Sequence, residues 1–256
     1  MKHDLKVIGY MPLLYGKCYL KQALMSMINH VDKMVILYTD RPSYGHGTTM
    51  VCPDTEYELK KIAIQVCGDK LIWDHVNVGT EGDHRGEIYK YTKGYDLVLT
   101  GDADEVFDEE MLEKALYEAY LSDKALLGIS GYLNFWRSFN WVCHDTYTPI
   151  RIINLHNPLR VNNAANEGVV QCRIWHFSTA QPVELMQYKM AIHGHKNELR
   201  PNWLQDIFLG WDPSIPEKNL NLHSVALGLW NATPYDKTQM PASLHDHPFY
   251  DKLIIE

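Results

Sequence analysis

The chain has 256 residues, 46 % hydrophobic and 22 % charged, with a formal net charge of −8. This is ordinary for a globular protein with ample core, and it argues against a non-specific nucleic-acid binder, which needs an excess of Lys and Arg. No apolar run reaches the ~18 residues of a membrane span, "MKHDLKVIGYMPLL" lacks the pattern of a signal peptide, and the five scattered cysteines fit a reducing cytoplasm.

The first hundred residues alternate strand and helix. "LKVIGY" (Leu5–Tyr10) reads as a short apolar strand, and "KCYLKQALMSMINH" as a helix with Leu20, Leu24, Met27 and Ile28 on one face. Lys33–Asp40 is a second apolar strand. A Gly- and Pro-rich loop leads to a helix over Glu56–Cys67, with Leu59, Ile62, Ala63 and Val66 in register. "KLIWDHV" is a third strand, Gly82–Gly94 a helix closed by its glycine, and "YDLVLTGD" a fourth strand before a helix from Glu109 to Leu121. Continuous aliphatic strands separated by amphipathic helices indicate a mainly parallel sheet covered on both faces. Ligands of such sheets sit beyond the carboxyl ends of the strands.

From about residue 124 the strand-like pieces "ALLGISGYLNF", "PIRIINL" and "QCRIWHFS" follow one another through polar loops. "PVELMQYKMAIHGH" then reads as a helix with Pro182 near its first position. The tail from Trp211 shows little periodicity. The whole reads as one α/β domain, residues 1–256, with a nucleotide-type first half to about residue 123.

The fourth strand runs into "GDADEVFDEE", which holds six carboxylates within the nine residues from Asp102 to Glu110. Asp108 suits a helix cap, and Glu109 and Glu110 suit the positive helix N-terminus. Asp102 and Asp104, two apart, present both carboxylates on one side of an extended segment and would repel unless a cation sits between them. Mn²⁺ or Mg²⁺ takes such oxygens and leaves positions open for phosphate. An EF-hand is excluded by Val106 and by the missing loop glycine.

With "HRGEIYKYTKGYDLVLTGDADEVF" and, more weakly, "IWHFSTAQPVELMQYKMAIHGHKNE", the sequence resembles the metal-dependent glycosyltransferases of the GT-A fold, over roughly residues 5–210. The resemblance implies a Rossmann-type α/β/α sandwich with a mainly parallel central sheet, and residues 124–256 as the acceptor-binding half. It implies Mn²⁺ or Mg²⁺ on Asp102 and Asp104, and a nucleotide-sugar donor, a UDP-sugar before others. Tyr10, Met11 and Pro12, with Asp40 and Arg41, would flank the nucleoside at the ends of the first two strands. Arg85, Asp102 and Ala103 would approach the donor, and Glu105 would act as a buttress. His176 matches the Trp-His segment and is the third metal ligand of choice, set against a hydrogen-bonded core histidine. His193 and His195 would point about 200° apart on a continuous helix and converge only if it ends there; His195 is the competing ligand, and Lys189 a phosphate contact.

Breaking an anomeric bond to a diphosphate develops negative charge that a metal and nearby cations stabilise, while a base assists the acceptor hydroxyl. Glu167, placed in a polar loop, is the favoured base and Asp206 the next. Trp136, Trp141 and Trp211 are candidate acceptor platforms. A glycan, a small molecule, a protein or a modified DNA base would each serve as acceptor, the last in a host cytoplasm for a phage-type relative. Two other readings compete: a metal-dependent nucleotidyltransferase, and a non-enzymatic histidine-rich metal module suggested by "HGH" and "HDH".

Overall fold

The computed structural model describes residues 5–157, 166–226, 228, 230–252 and 254. The chain forms two compact units that interleave in sequence: Met1–Arg41, Asp54–Tyr132 and Thr146–Ile174 make the first, and Pro42–Pro53, Leu133–Asp145 and Trp175–Glu256 the second. Among the described residues, no helix is long and apolar enough to cross a membrane.

The first unit is built on four parallel strands, β1 (Val7–Leu13), β2 (Lys33–Tyr38), β3 (Leu71–His75) and β4 (Leu97–Thr100), in the order β3-β2-β1-β4. This is the order of a Rossmann-type half. Strand parity decides which face each side chain covers. Met11, Leu13, Met34, Ile36, Leu97 and Leu99 pack into one core with helices α1 (Lys17–Ile28), α2 (Glu56–Cys67) and α4 (Glu109–Leu121). The alternate residues Ile8, Tyr10, Val35, Leu37 and Val98 face the opposite way, onto Ile88. Both faces are therefore covered, which is why these strands read as unbroken apolar runs.

Two departures from the sequence reading bear on the site. Strand β1 continues to Leu13, because Met11, Pro12 and Leu13 pair with Ile36, Leu37 and Tyr38; Tyr10–Pro12 lie inside the strand and not at its end. The helix expected over Gly82–Gly94 is a short α3 (Glu81–Gly86) followed by a 3₁₀ segment, Glu87–Tyr91. A capping box between Thr80 and Asp83 starts it.

Antiparallel strands extend the sheet. β8 (Ile150–Asn154) pairs with β4, Leu99 opposite Ile152, and β6 (Leu126–Trp136) pairs with β8 through its first residues. The short strand β5 (Glu105–Phe107) pairs with β9 (Glu167–Thr179). In the second unit, the end of β6 pairs with β7 (Trp141–His144), and β7 pairs with β10 (Ala232–Pro234). Helix α5 (Val183–Ala191), a π-helical turn over Trp203–Leu209 and the short α6 (Ala242–His245) complete it. Its core gathers Trp136, Cys143, Met186, Trp203, Phe208 and Leu222.

Candidate active site

The acidic motif is a turn, not an extended segment. The Glu105 N–H donates to the Asp102 carbonyl (3.1 Å), and the Asp102 N–H donates back to Glu105 Oε2 (3.1 Å). Only Ala103 and Asp104 separate the two ends, so the link from β4 to β5 closes on itself. The Gly101 N–H donates to the Tyr10 carbonyl (3.0 Å), which fixes the turn to β1. Ala103 is buried against Gly16, where an added Cβ would lie 2.6 Å from that of Ala103. Gly16 also has φ 129°, so the loop into α1 tolerates no side chain there.

Asp102 is held from two sides. Arg85 Nη2 donates to its Oδ1 (3.2 Å), and Arg151 Nη2 to its Oδ2 (2.9 Å). Arg85 also donates through Nε to Glu81 (2.9 Å), one helical turn back. Arg151 is the residue that sequence reasoning passed over. The register of β8 on β4 brings it level with the end of β4, and it is 8 % exposed. Its Nε donates to Glu105 Oε2 (2.7 Å), its Nη2 also donates to Glu105 Oε1, and the Tyr132 hydroxyl donates to the same oxygen. Glu105 has no exposed surface, so all its polar capacity is spent inside the protein. The available signal was a lone Arg between isoleucines in "PIRIINL", a charge that needs a buried partner.

The electrostatics follow from this packing. Burial opposes the charge on Arg151, but Glu105 and Asp102 outweigh it and hold its pKa well above the usual arginine value. Arg85 shows the same balance, with burial opposed by Asp102 and Glu81. The Tyr132 phenol is pushed well up by burial and then by Glu105. Tyr10, whose hydroxyl donates to the His84 carbonyl (3.2 Å), is likewise raised by burial.

The remaining candidates in the first unit are dispersed. Met11 is wholly buried in the helix-side core, so its side chain is withdrawn from ligand, while Pro12 is half-buried. Asp40 and Arg41 are exposed beyond β2, paired to each other at 3.5 Å, with His75 3.8 Å from Asp40. Glu167 is exposed as the first residue of β9, in a strand and not in the expected loop. Asp108 caps α4 by accepting from the Met111 N–H (3.2 Å).

In the second unit, His176 is half-buried with Nδ1 2.7 Å from Asn134 Oδ1. Lys189 donates to the Ser178 hydroxyl (2.6 Å) and carbonyl (3.2 Å). Helix α5 ends at Ala191, which frees His193 and His195 to approach, with ring centroids 5.8 Å apart. His195 Nδ1 lies 3.2 Å from Glu198, and Asp206 is exposed on the π-helical turn. Trp136 has no exposed surface and is a core residue; Trp141 and Trp211 are half-buried in edge contact with each other.

Among the described residues, no group of three or more His, Cys, Asp or Glu side chains is gathered to hold a metal. Two hard carboxylates still fit Mg²⁺ or Mn²⁺, which are commonly bound by one or two carboxylates together with substrate phosphates. Both oxygens of Asp102 already accept from guanidinium groups.

No family model matches the chain, and no curated protein matches its sequence. Among solved structures it is similar to Staphylococcus aureus TarS (15 % identity, 50 % of this chain and 36 % of that chain, TM-score 0.36). It is also similar to 4-diphosphocytidyl-2C-methyl-D-erythritol synthase from Anaerococcus prevotii (13 %, 66 % and 88 %, TM-score 0.42). A third similarity is to Mycobacterium tuberculosis glucosyl-3-phosphoglycerate synthase, in complex with Mn²⁺, UDP-glucose and phosphoglyceric acid (13 %, 50 % and 44 %, TM-score 0.34). The chain thus spans about a third of the length of that solved TarS chain, residues 1–349. Similarities this partial carry no argument about activity, and the α/β class rests on the strand order itself.

Proposed function

We propose that the chain transfers a sugar from a nucleotide-sugar donor, a UDP-sugar before others, to an acceptor hydroxyl. The observation that carries this reading is the motif turn at the carboxyl end of β4, where Asp104 follows an Asp102 clamped between Arg85 and Arg151. Asp104, with the remaining lone pairs of Asp102, would hold Mn²⁺ or Mg²⁺, and His176 or His195 is the proposed further ligand. When bound, such an ion stabilises the diphosphate leaving group as a Lewis acid.

The chain's own groups do the rest. Arg85 is about one-third exposed and adds fixed positive charge where the leaving group develops negative charge. Tyr10, Pro12, Asp40 and Arg41 are proposed to bound the donor nucleoside, with Met11 and Ala103 shaping its floor through backbone and packing. Lys189 is the proposed phosphate contact, and would exchange its bond to Ser178 for it. Glu167, then Asp206, is the proposed base that takes the acceptor proton; both are exposed. The proposed acceptors remain a glycan, a small molecule, a protein or a modified DNA base.

The competing nucleotidyltransferase reading meets an obstacle in the loop after β1. There the Gly16 and Lys17 N–H groups both donate to Asp54 Oδ2 (2.7 and 2.9 Å), so a carboxylate fills the helix end that such an enzyme would offer to a triphosphate.

The test is calorimetric titration with UDP-, GDP- and CDP-sugars, with Mn²⁺ and again with EDTA, on wild type and Asp104→Asn. The expected result is metal-dependent binding of one donor, and turnover in the variant lower by on the order of 10²–10³-fold, the scale of losing one transition-state contact. Pyrophosphate release from a triphosphate, or undiminished transfer by Asp104→Asn, would overturn the reading.

A further inference from the structure

The candidate site contains one residue whose position exceeds any need of the fold. Arg151 sits in β8, next to apolar Ile152 of the core, yet its guanidinium joins two carboxylates of different standing. Glu105 is wholly buried and faces no ligand, whereas Asp102 is about 29 % exposed at the strand end. A structural ion pair needs only one of them. Replacing a buried pair by uncharged groups of similar volume is generally tolerated, so the pair is not explained by stability alone.

The geometry is that of a lever. Glu105 receives Arg151 through two parallel N–H groups and Tyr132 through its hydroxyl, which leaves the guanidinium plane no freedom. The third contact of that plane reaches Asp102 Oδ2 at 2.9 Å, and Nη1 is spent on the Ile150 carbonyl at 3.2 Å. Glu105 also accepts from the Asp102 backbone N–H, so side chain and backbone of Asp102 are set by the same pair. The Nε, Nη1 and Nη2 groups of Arg151 all donate within the protein.

We infer that Arg151, locked by Glu105 and Tyr132, is a positioning residue that orients the Asp102 carboxylate and the Asp102–Asp104 turn toward the donor. It does not itself touch the donor. The inference rests on the proposed donor reading for its consequence, but the orienting contact stands on its own geometry. Lysine cannot replace Arg151, because a point charge on a flexible stem cannot meet two carboxylates in one plane.

The decisive variant is the double substitution Arg151→Met with Glu105→Gln, which removes both buried charges together and keeps their volumes; Arg151→Lys accompanies it. Folding is checked by thermal melting, binding by calorimetry with Mn²⁺ and UDP, and the turn by amide hydrogen exchange at Asp102–Asp104. We expect both variants to fold, UDP binding to weaken by about 10–100-fold, the range for removing a residue that orients a ligand-bearing group, and turn amides to exchange faster while those of β1 and β2 do not. A folded double variant that binds UDP within about twofold of wild type, with unchanged exchange at the turn, would show the pair to be merely structural. If wild type itself binds no nucleotide, the donor reading falls, and the exchange comparison alone decides for or against the positioning role.

Discussion

His84 shows how a single residue of this site ties stability to pH. It is 6 % exposed, its Nε2 has no hydrogen-bond partner, and its backbone carbonyl, not its ring, receives the Tyr10 hydroxyl. Burial first, and the neighbouring Arg85 second, lower its pKa below the ordinary 6.5. The unfolded chain therefore takes up a proton at His84 near pH 6.5, where the folded chain does not. Stability is fully present above that pH and falls as pH drops from 6.5 through the lower folded value. Urea unfolding at pH 7.5 and 5.5 checks this. Wild type is expected to lose midpoint concentration on acidification and His84→Leu to lose less, since leucine fills the space without a titrating ring. An equal loss in both proteins would assign the acid sensitivity elsewhere.

Among the elements, α1 is begun unusually. Gly16, its N-cap residue, carries no side-chain acceptor, and the acceptor comes instead from Asp54, thirty-eight residues away in sequence. Asp54 is buried, satisfies two helix N–H groups, and sits beside Thr55, which caps α2 with its own capping box. One short stretch therefore starts two helices. Asp54→Ala is expected to destabilise the protein by about 2 kcal/mol, the upper end for a helix cap because two donors and a buried site are involved. Asp54→Asn should retain roughly half of that. Chemical denaturation with far-ultraviolet dichroism measures both, and a loss for Ala below about 0.5 kcal/mol, the low end for such caps, would refute the shared-cap account.

The same elements show what the sequence made legible. Helices α2 and α4 begin and end where their periodicity and, for α4, the capping Asp108 place them. The four parallel strands were readable because burial on both faces forces continuous apolar runs. Strand β5 was hidden among carboxylates, since it is held by Arg151 on Glu105 and by pairing with β9, both distant in sequence. Strands β7 and β10 are three or four residues long and have too little length for any period. Asp102 and Asp104 could be singled out from spacing, but the turn between them could not, because it depends on Glu105 accepting the Asp102 N–H. Arg151 was visible only as an anomaly within an apolar strand.

At the scale of the whole molecule, the two units carry separate apolar cores. Ile36 belongs to the helix-side core of the first, with Met34, Leu97 and Leu99. Leu222 belongs to the core of the second, with Trp136, Trp203 and Phe208. Both are wholly buried, and their clusters have no member in common. Removing one methyl in Ile36→Val should destabilise by about 1 kcal/mol, and Leu222→Ala by about 3 kcal/mol, the larger value reflecting three lost carbons and the cavity they leave. Residues that share no partner contribute independently, so the double variant should lose about 4 kcal/mol, the sum to within about 0.5 kcal/mol. Urea unfolding, followed both by tryptophan fluorescence and by far-ultraviolet dichroism, measures this. Fluorescence weights the tryptophan-rich second core and dichroism the helices of both. Coincident transitions with additive losses would mark one cooperative molecule built on two cores. Separated transitions, with Leu222→Ala moving only the fluorescence midpoint, would mark units that unfold in turn, and additivity would then lose its basis.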